Sequence, residues 1–360
     1  MPLTQLASIP ADRVTEDAIE RKLYSRDLAS VPAIMVKPFF RTLPDVVVRP
    51  GNAEQVAETI RQAARERIPI TPRAAASTSY YNSVPVRGGW VLDVNDMRDG
   101  IELDSARQTV RVLPATTWFD LDDFLQQKGF AVKSYPSSAV SATVGGWVSM
   151  QGYGMGSLKY GGVGELLVSL QVALPNGELV TVTRESDPPL DWFVAAEGTL
   201  GVITQVELTV RPRPAAESHH LFAFDDLNTL GRNVVSLARA EPRPFTIFFA
   251  DSGYLRLLAR AGFHIPLDLP QSHFPVSEKG LLLVSFQGEP SEVIQGKDRL
   301  IPVAGCELSS DLALEEWNLR LYHLRAKRAG PSLLAAESWL PIDALHHYLK
   351  SVRTLAERSR

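Results

Sequence analysis

The chain has 360 residues, of which 45% are hydrophobic and 22% charged, with a formal net charge of −4 at pH 7. This length predicts two domains of ordinary globular type, and the charge gives no electrostatic reason to expect nucleic-acid binding. The longest apolar runs, such as "GLLLV", are too short to cross a bilayer, and residues 1–10 lack the pattern of a signal peptide. We therefore expect a cytoplasmic protein without a transmembrane segment, which a partner protein can hold at a membrane surface.

Cysteine and histidine exclude several kinds of site. Cys306 is the only cysteine, so one chain can form neither an internal disulfide nor an iron–sulfur cluster by itself. We interpret it as a small buried apolar residue. All seven histidines lie between His219 and His347. No histidine ligand or histidine base can come from the front half, and the sequence predicts no metal site.

The first predicted elements form a strand–helix–strand unit. "PDVVVRP" (44–50) and "IPITPR" (68–73) are typical of strands, and a helix between them has apolar residues on one face. Asn52 is the predicted N-cap, with Gln55 completing a capping box. Such a unit crosses over right-handed and leaves its last loop at a sheet edge where ligands bind.

Further strands and one helix follow before a predicted domain boundary. "GGWVLDV", "IELD" and "TVRVLPA" indicate strands, and "TTWFDLDDFLQQKG" indicates a helix capped by Thr117 and closed by Gly129. Asn176-Gly177 predicts a hairpin with a type I′ turn. A strand then alternates from Val202 to Val210. Prolines 212 and 214 predict a domain boundary. We divide the chain into an N-terminal segment (1–39), a first domain (40–214) and a second α+β domain (215–360).

Three stretches place small residues where a backbone can approach a ligand closely. They are "TPRAAASTSYYN" (71–82), "YPSSAVSATVGGWVSMQGYGMGSLKYGG" (135–162) and "AAEGTLGVIT" (195–204). Taken singly, each is equally consistent with turns and close packing.

In order and spacing, the three stretches resemble the FAD-binding (PCMH-type) domain of the vanillyl-alcohol oxidase family, which includes D-lactate dehydrogenases and glycolate oxidase FAD subunits. That family has an arginine with a glycine-rich loop, then "PSS…T.GG" with "LKYG", then "EGTLGVIT", which occurs here without a gap. The resemblance spans residues 40–215 and implies an α+β fold, a two-part PCMH-type domain followed by a shortened ferredoxin-like cap. It implies FAD, with its pyrophosphate held by backbone amides. The cofactor-binding residues that it implies are Arg73, Ala74, Ala75, Ala76, Ser77, Thr78, Pro136, Ser137, Ser138, Thr143, Gly145, Gly146, Gly152, Glu197, Gly198, Gly201, Val202 and Ile203.

The alanines of "RAAAS" depart from that pattern. An L-residue forced into a left-handed backbone costs about 1–2 kcal/mol, but an anion-binding nest needs few such residues. We expect a working but altered loop, with Ala75 the position where glycine would relieve strain. The alternative is a sheet-edge turn in a flavin-free relative. Because no histidine precedes His219, we expect non-covalent FAD. Trp147 and Gln151 stand where the family often has asparagines.

The back half resembles the cap domain of the same family, in a branch associated with iron–sulfur partners. "EEWNLRLYHLRAKRAGPSLLAAESWLP" (315–341) carries this resemblance. The basic residues of this stretch either stabilise the carboxyl end of a helix or bind the carboxylate of a substrate. In the second interpretation Arg320 binds the carboxylate, and His323 and Lys327 are the other catalytic candidates. The resemblance leads us to expect a further segment with metal-ligating histidines, which the sequence up to Arg360 does not contain. His346-His347 are adjacent and make a poor metal pair.

The leading hypothesis is an FAD-dependent oxidoreductase that oxidises a 2-hydroxy acid of the lactate or glycolate type and passes electrons to an iron–sulfur protein. A second hypothesis is a non-catalytic flavin-binding or flavin-free subunit of a redox complex. A third, a small reductase of a cell-wall nucleotide sugar, shares only the flavin fold, and its cap should lack "KRAGPS".

Overall fold

A computed structural model describes residues 6–29, 31, 33–36, 38–224, 226–261, 280–303, 305–329 and 338–358. The chain divides into two compact units. The first comprises Met1–Gly154 and Tyr160–Pro212, and the second comprises Met155–Lys159 and Arg213–Arg360. Both contain helices and sheets, so the predicted α+β class is confirmed.

The first sheet of the first unit has a parallel core because a helix links two of its strands. Its elements are β1 (Val14–Thr15), α1 (Ala18–Leu23), α2 (Ala33–Val36), β2 (Val46–Val48), α3 (Ala53–Glu66), β3 (Ile70–Arg73) and β4 (Trp90–Asp93). The order is β1-β2-β4-β3, and β2 and β3 both run parallel to β4. The apolar face of α3 packs with this sheet in one core. The loop after β3 therefore starts at the carboxyl end of a parallel strand, as predicted.

The second sheet of the first unit is antiparallel, in the order β5-β6-β10-β8-β9. The elements from residue 102 to residue 212 are β5 (Glu102–Asp104), β6 (Thr109–Val112), α4 (Trp118–Gln127), β7 (Phe130–Ala131), α5 (Val144–Ser149), α6 (Ser157–Tyr160), α7 (Val163–Leu166), β8 (Leu167–Ala173), β9 (Leu179–Val182), β10 (Val202–Thr209) and β11 (Arg211–Pro212). Strand β10 is largely buried along its length, and two register shifts against β8 interrupt the predicted alternation.

The second unit is an antiparallel sheet, β13-β14-β12-β15, with helices packed against it. Its elements are β12 (Ala216–Phe224), α8 (Leu227–Ala238), β13 (Thr246–Ala250), α9 (Ser252–Arg260), β14 (Gly280–Gly288), α10 (Pro290–Asp298), β15 (Cys306–Glu307), α11 (Ser310–Asn318), a kinked 3₁₀ segment (Leu319–Ala329), a short 3₁₀ turn (Ile342–Ala344) and α12 (Leu345–Arg358). One sheet face packs apolar residues against α8, α10 and α12. Because side chains alternate along a strand, the opposite face receives Glu217, His219, Ser285 and Gln287. The sequence did not predict α9 or α10.

The predicted helix caps are confirmed, with one change of partner. Asn52 Oδ1 accepts the Gln55 N–H at 2.9 Å, and Thr117 Oγ1 accepts the Asp120 N–H at 3.0 Å. The return bond of the first cap differs from prediction. Gln55 Oε1 accepts from the Gly51 N–H at 2.6 Å, so the box reaches one residue further back than Asn52.

Two local predictions are wrong. The hairpin between β8 and β9 forms, but of its two central residues only Gly177 has a positive φ, of 77°, whereas a type I′ turn needs two. Leu174 donates its N–H to the Glu178 carbonyl at 2.9 Å, which leaves a three-residue loop closed by a left-handed glycine. Cys306 is exposed rather than buried, because β15 is a two-residue strand at the sheet edge.

Candidate functional site

The β3 loop (residues 74–82) presents a row of unpaired backbone donors. Among the described residues, the N–H groups of residues 74–78 form no hydrogen bond. Ala76 adopts φ +51° and Tyr81 φ +68°, whereas Ala74 and Ala75 lie outside the left-handed region. The predicted position of backbone strain, Ala75, is therefore wrong, and the strain lies at Ala76. Successive unpaired amides around a left-handed residue favour an anion.

Arg73 closes the base of this loop. Its Nη1 donates to the carbonyls of Arg26 at 3.0 Å and Ser83 at 3.2 Å, and lies 3.4 Å from the Tyr24 carbonyl. Burial lowers the pKa of the Arg73 guanidinium, and the nearby Asp93 carboxylate opposes that shift. The contacts described for Arg73 thus fix backbone at the two ends of the loop.

The serine turn (residues 136–142) supplies further donors. Within the described ranges, neither the N–H nor the hydroxyl of Ser137 or Ser138 has a hydrogen-bond partner. Pro136 begins the turn, and its carbonyl accepts the Ala139 N–H at 3.1 Å. Thr143 follows as the N-cap of α5, with Oγ1 accepting the Gly146 N–H at 3.3 Å. Its own hydroxyl proton is still available to donate.

The glycines of the second stretch serve different purposes. A methyl group on Gly145 would meet Pro114 Cβ at 2.7 Å, and one on Gly152 would collide with the Trp147 ring. These two glycines therefore permit packing within the protein. At Gly146 a methyl group would meet Thr143 Oγ1 at 2.8 Å and, apart from its chain neighbours and the backbone of its own helix, no other described atom within 4 Å. Among these three glycines, Gly146 is therefore the one with space beside its Cα into which a ligand can come close.

Trp147 is held by its neighbours in the first unit. Its ring meets the buried Trp118 ring edge-on, with centroids 4.9 Å apart, and lies against the backbone of Gly152. The sequence left open what this residue packs against, and within the unit it packs on protein.

The third stretch, the EGTLG loop (residues 195–201), has an unusual backbone. Ala195, Glu197 and Gly198 have φ values of +62°, +50° and +76°. At position 198 glycine suits the positive φ, and a methyl group there would also lie only 2.9 Å from the Pro72 ring. At position 201 a methyl group would lie 2.6 Å from the Val172 side chain. Beyond the loop, Val202 is part of the core and Ile203 is 8% exposed.

The fold brings the three stretches into mutual contact. Pro72, just before the β3 loop, contacts Gly198 of the EGTLG loop. Asn82 Nδ2 lies 2.7 Å from Met150 Sδ, at the end of α5. The Glu197 N–H donates to the Ser149 carbonyl at 3.0 Å. Each stretch thus touches the other two, although up to 130 residues separate them in sequence.

Strain and unsatisfied polar groups concentrate at this meeting point. Five of the seven left-handed non-glycine residues among the described residues lie here; they are Ala76, Tyr81, Gln151, Ala195 and Glu197. Asn82 Oδ1 is buried without a hydrogen-bond partner in the described part of the chain. Left-handed L-residues cluster where function requires a fixed backbone. Free amides, free hydroxyls and a buried acceptor together fit a large polar ligand that carries anionic groups.

A second cluster, which the sequence analysis missed, lies in the second unit, on the sheet face opposite the one that packs against α8, α10 and α12. The His219 ring stacks on Trp317 with centroids 4.5 Å apart and planes at 17°. Its Nδ1 lies 3.0 Å from Ser285 Oγ, and its Nε2 lies 3.6 Å from Glu217 Oε1. The neighbouring His219 ring holds the pKa of the Glu217 carboxyl below its ordinary value. Strand alternation in "ESHHLFAF" was the available signal, since it places residues 217 and 219 on one face.

The predicted catalytic residues lie next to this cluster in sequence. The Arg320 guanidinium carbon lies 4.2 Å from the Trp317 ring centroid, and its Nη1 donates to the Trp317 carbonyl at 3.0 Å. His323 and Lys327 lie on the kinked 3₁₀ segment, and their side chains are outside the described residues. The structure therefore places Arg320 against Trp317, which stacks on His219.

Comparison with known proteins decides the family. One model, of the FAD binding domain, matches residues 44–183, and another, of the C-terminal domain of FAD linked oxidases, matches residues 213–360. The chain belongs to the FAD-linked oxidase family. Its cofactor is FAD, and the predicted resemblance to this family is confirmed.

Curated members of the family match at low identity. The chain is 26% identical to glycolate oxidase subunit GlcD of Bacillus subtilis, over 89% of this chain and 70% of that protein. It is 23% identical to GlcD of Escherichia coli K12, over 89% of this chain and 65% of that protein. It is 28% identical to mitochondrial D-lactate dehydrogenase [cytochrome] of Arabidopsis thaliana, over 59% and 37%. The matches thus span between 37% and 70% of these relatives' lengths.

Two solved structures with similar architecture confirm the fold. Alkyldihydroxyacetonephosphate synthase superposes with a TM-score of 0.75 at 20% identity, over 89% of this chain and 65% of that one. p-Cresol methylhydroxylase superposes with a TM-score of 0.70 at 17% identity, over 92% and 69%. Separately, no helix among the described residues is long and apolar enough to cross a membrane.

Proposed function

We propose that this FAD-linked oxidase oxidises a small 2-hydroxy acid of the glycolate or lactate type to the 2-oxo acid. The observation that carries the proposal is the meeting of three loops, two of which hold donors without a hydrogen-bond partner within the described residues: the amides of residues 74–78 and the N–H and hydroxyl groups of Ser137 and Ser138. When bound, FAD supplies the acceptor for the hydride that leaves C2 of the acid, and the hydroxyl proton leaves separately.

In this proposal the first unit holds the cofactor without a covalent bond. The amides of the β3 loop and the groups of Ser137 and Ser138 hold the pyrophosphate, because backbone N–H groups and hydroxyls stabilise phosphate charge. The hydroxyl of Thr143 donates beside them, and Gly146 leaves room for close approach. The other predicted positions, such as Gly145 and Gly198, shape the loops through packing.

The substrate class rests on the relatives and on the cation of the second unit. The named relatives act on glycolate and D-lactate by their titles, and both are 2-hydroxy acids that carry a carboxylate. We assign the carboxylate to Arg320, whose planar fork suits two oxygens. The Trp317 ring, whose centroid lies 4.2 Å from the guanidinium carbon, and the Trp317 carbonyl hold that fork in place.

A proton acceptor for the substrate hydroxyl is also required. We assign it to His323, with Lys327 nearby on the same segment. His219 acts differently, because its side chain is only 7% exposed and its Nδ1 is engaged with Ser285. It positions Trp317, and through Trp317 it positions Arg320.

Electrons would leave this chain one at a time to an iron–sulfur protein. Cys306 alone cannot ligate a cluster, so the cluster belongs to a partner. The relatives named as glycolate oxidase subunits support a multi-protein complex.

The test is anaerobic mixing of the FAD-loaded chain with glycolate, D-lactate and L-lactate. Bleaching of the visible flavin band by one of them, with reduction of artificial dyes on turnover, is the expected result. Arg320→Ala should raise KM about 10- to 100-fold, the loss of one charge-assisted hydrogen bond. Arg320→Lys keeps the positive charge and should raise KM less than Arg320→Ala does. Arg328→Ala, an exposed arginine of the same segment, is the matched control and should change KM little.

A non-catalytic subunit is the second candidate. It is favoured by the engagement of Arg320 and His219 with groups of their own unit. Normal FAD uptake without bleaching by any 2-hydroxy acid would support it and contradict the first proposal. Fast direct reduction of NAD would contradict the proposed iron–sulfur acceptor.

A further inference from the structure

The N-terminal clasp (residues 24–28) is hydrogen-bonded to both ends and to the middle of the β3 loop. Two of its carbonyls, those of Tyr24 and Arg26, accept from Arg73 at the start of the loop. The Leu28 N–H donates to the Thr78 carbonyl at 3.0 Å, in the middle of the loop. Ser83 Oγ, just past its end, lies 3.5 Å from Asp27 Oδ2.

Tyr24 connects the clasp to a buried carboxylate under the loop. Its hydroxyl donates to Asp93 Oδ2 at 2.7 Å, and its ring lies 5.1 Å from the Arg73 guanidinium carbon. Asp93 is 4% exposed, and its other oxygen accepts from the Asn95 side chain at 2.7 Å. Burial raises the pKa of Asp93, while the bond from Tyr24 opposes that shift.

Asn95 carries this network into the loop. Its Nδ2 also donates to the Ala74 carbonyl at 3.1 Å, next to the first free amides. A chain of contacts therefore runs from Tyr24 through Asp93 and Asn95 to the backbone that presents the donors. The clasp lies before residue 44, where the match to the FAD binding domain begins.

The β3 loop needs contacts from outside itself to hold its backbone in one conformation. Its Ala76 is left-handed, and an L-residue keeps that backbone only where its surroundings determine it. The amides of residues 74–78 have no intramolecular acceptor among the described residues to hold them. Contacts on the carbonyl side can fix the direction of this backbone without using the donors: the Ala74 carbonyl is in the same peptide as the Ala75 amide, and the Thr78 carbonyl lies directly after the row of free amides.

We propose that the N-terminal clasp is a positioning element for FAD, which preorganises the β3 loop through Tyr24, Asp93 and Asn95. The inference rests on the proposed role of the β3 loop as the pyrophosphate site. Tyr24 acts through other residues and does not itself need to touch the cofactor. Preorganisation of this kind raises affinity by lowering the entropy lost on binding.

The test is FAD titration of FAD-free Tyr24→Phe, followed by flavin fluorescence quenching. The variant keeps the ring over Arg73 and loses only the bond to Asp93. We expect the Kd for FAD to rise about three- to tenfold, the size of one net hydrogen bond. Hydrogen exchange of residues 74–83 in the FAD-free protein should become faster. Tyr348→Phe, which loses a 3.1 Å bond to Ser338 in the second unit, is the matched control and should change neither.

Unchanged FAD affinity and unchanged exchange in Tyr24→Phe would overturn the proposal, even if thermal stability falls. Should that variant fail to fold, Asn95→Ser carries the same expectation. Wild-type protein that binds FAD but is not bleached by hydroxy acids would contradict the proposed substrate and leave this inference standing. Wild-type protein that does not bind FAD would overturn both.

Discussion

Ala76 gives the sharpest test of how the β3 loop is built. It is the alanine of "RAAAS" with a left-handed backbone, at φ +51°, a conformation that costs an L-residue about 1–2 kcal/mol. Ala76→Gly removes that cost but adds about 0.5–1 kcal/mol of unfolded-state entropy. The expected change runs from zero to about 1.5 kcal/mol of stabilisation.

Ala75→Gly is the matched control, because Ala75 is not left-handed. It should add the same entropy without relieving strain, and so destabilise by about 0.5–1 kcal/mol. The difference between the two variants isolates the strain of about 1–2 kcal/mol, or roughly 2–8 °C in Tm for a unit on the order of 200 residues. Thermal unfolding of the FAD-free variants measures it. Equal Tm values, or a more stable Ala75→Gly, would refute this assignment of the strain.

Three further substitutions test the site and its surroundings. Ala75→Asp should weaken FAD binding at least tenfold in a fluorescence titration, because it sets a carboxylate beside phosphates; wild-type affinity would mean that the loop does not hold the pyrophosphate. Gly198→Ala should lower Tm more than Gly129→Ala, because both glycines are left-handed but only Gly198 would place its methyl group 2.9 Å from a proline ring; equal losses would contradict the tight contact. Glu217 has a pKa below its ordinary value of 4.5, chiefly through His219, so its contribution to stability is complete above pH 4.5 and is lost as pH falls through the lowered pKa. Wild-type Tm should therefore fall more steeply than that of Glu217→Gln in this acid range, and parallel curves would contradict the assignment.

Local patterns in the sequence predicted elements whose causes are local. The face of α3, the caps at Asn52 and Thr117, and the strand before Arg73 depend on spacing within about 15 residues, and the structure has them. The order of the three small-residue stretches indicated FAD for the same reason, because each motif is contiguous.

Features that depend on distant contacts were not predictable in this way. Ala76 is left-handed in a loop held by the clasp and by Asn95, and no rule within "RAAAS" selects it over Ala75. Gly152 is small because of Trp147, although the motif alone suggested a ligand. The stack of His219 on Trp317 joins residues nearly 100 positions apart. Alternation along β12 could show that His219 and Glu217 share one face of the sheet, but not that Trp317 packs there.

The central claim is that the three loops of the first unit form a cradle for FAD. The most direct measurement is the titration of FAD-free protein with FAD, followed by acid or heat release of the bound flavin. We predict uptake of about one FAD per chain and full release of the yellow cofactor into the supernatant. A protein that stays colourless after incubation with FAD, or one that keeps its flavin in the acid precipitate, would contradict the account.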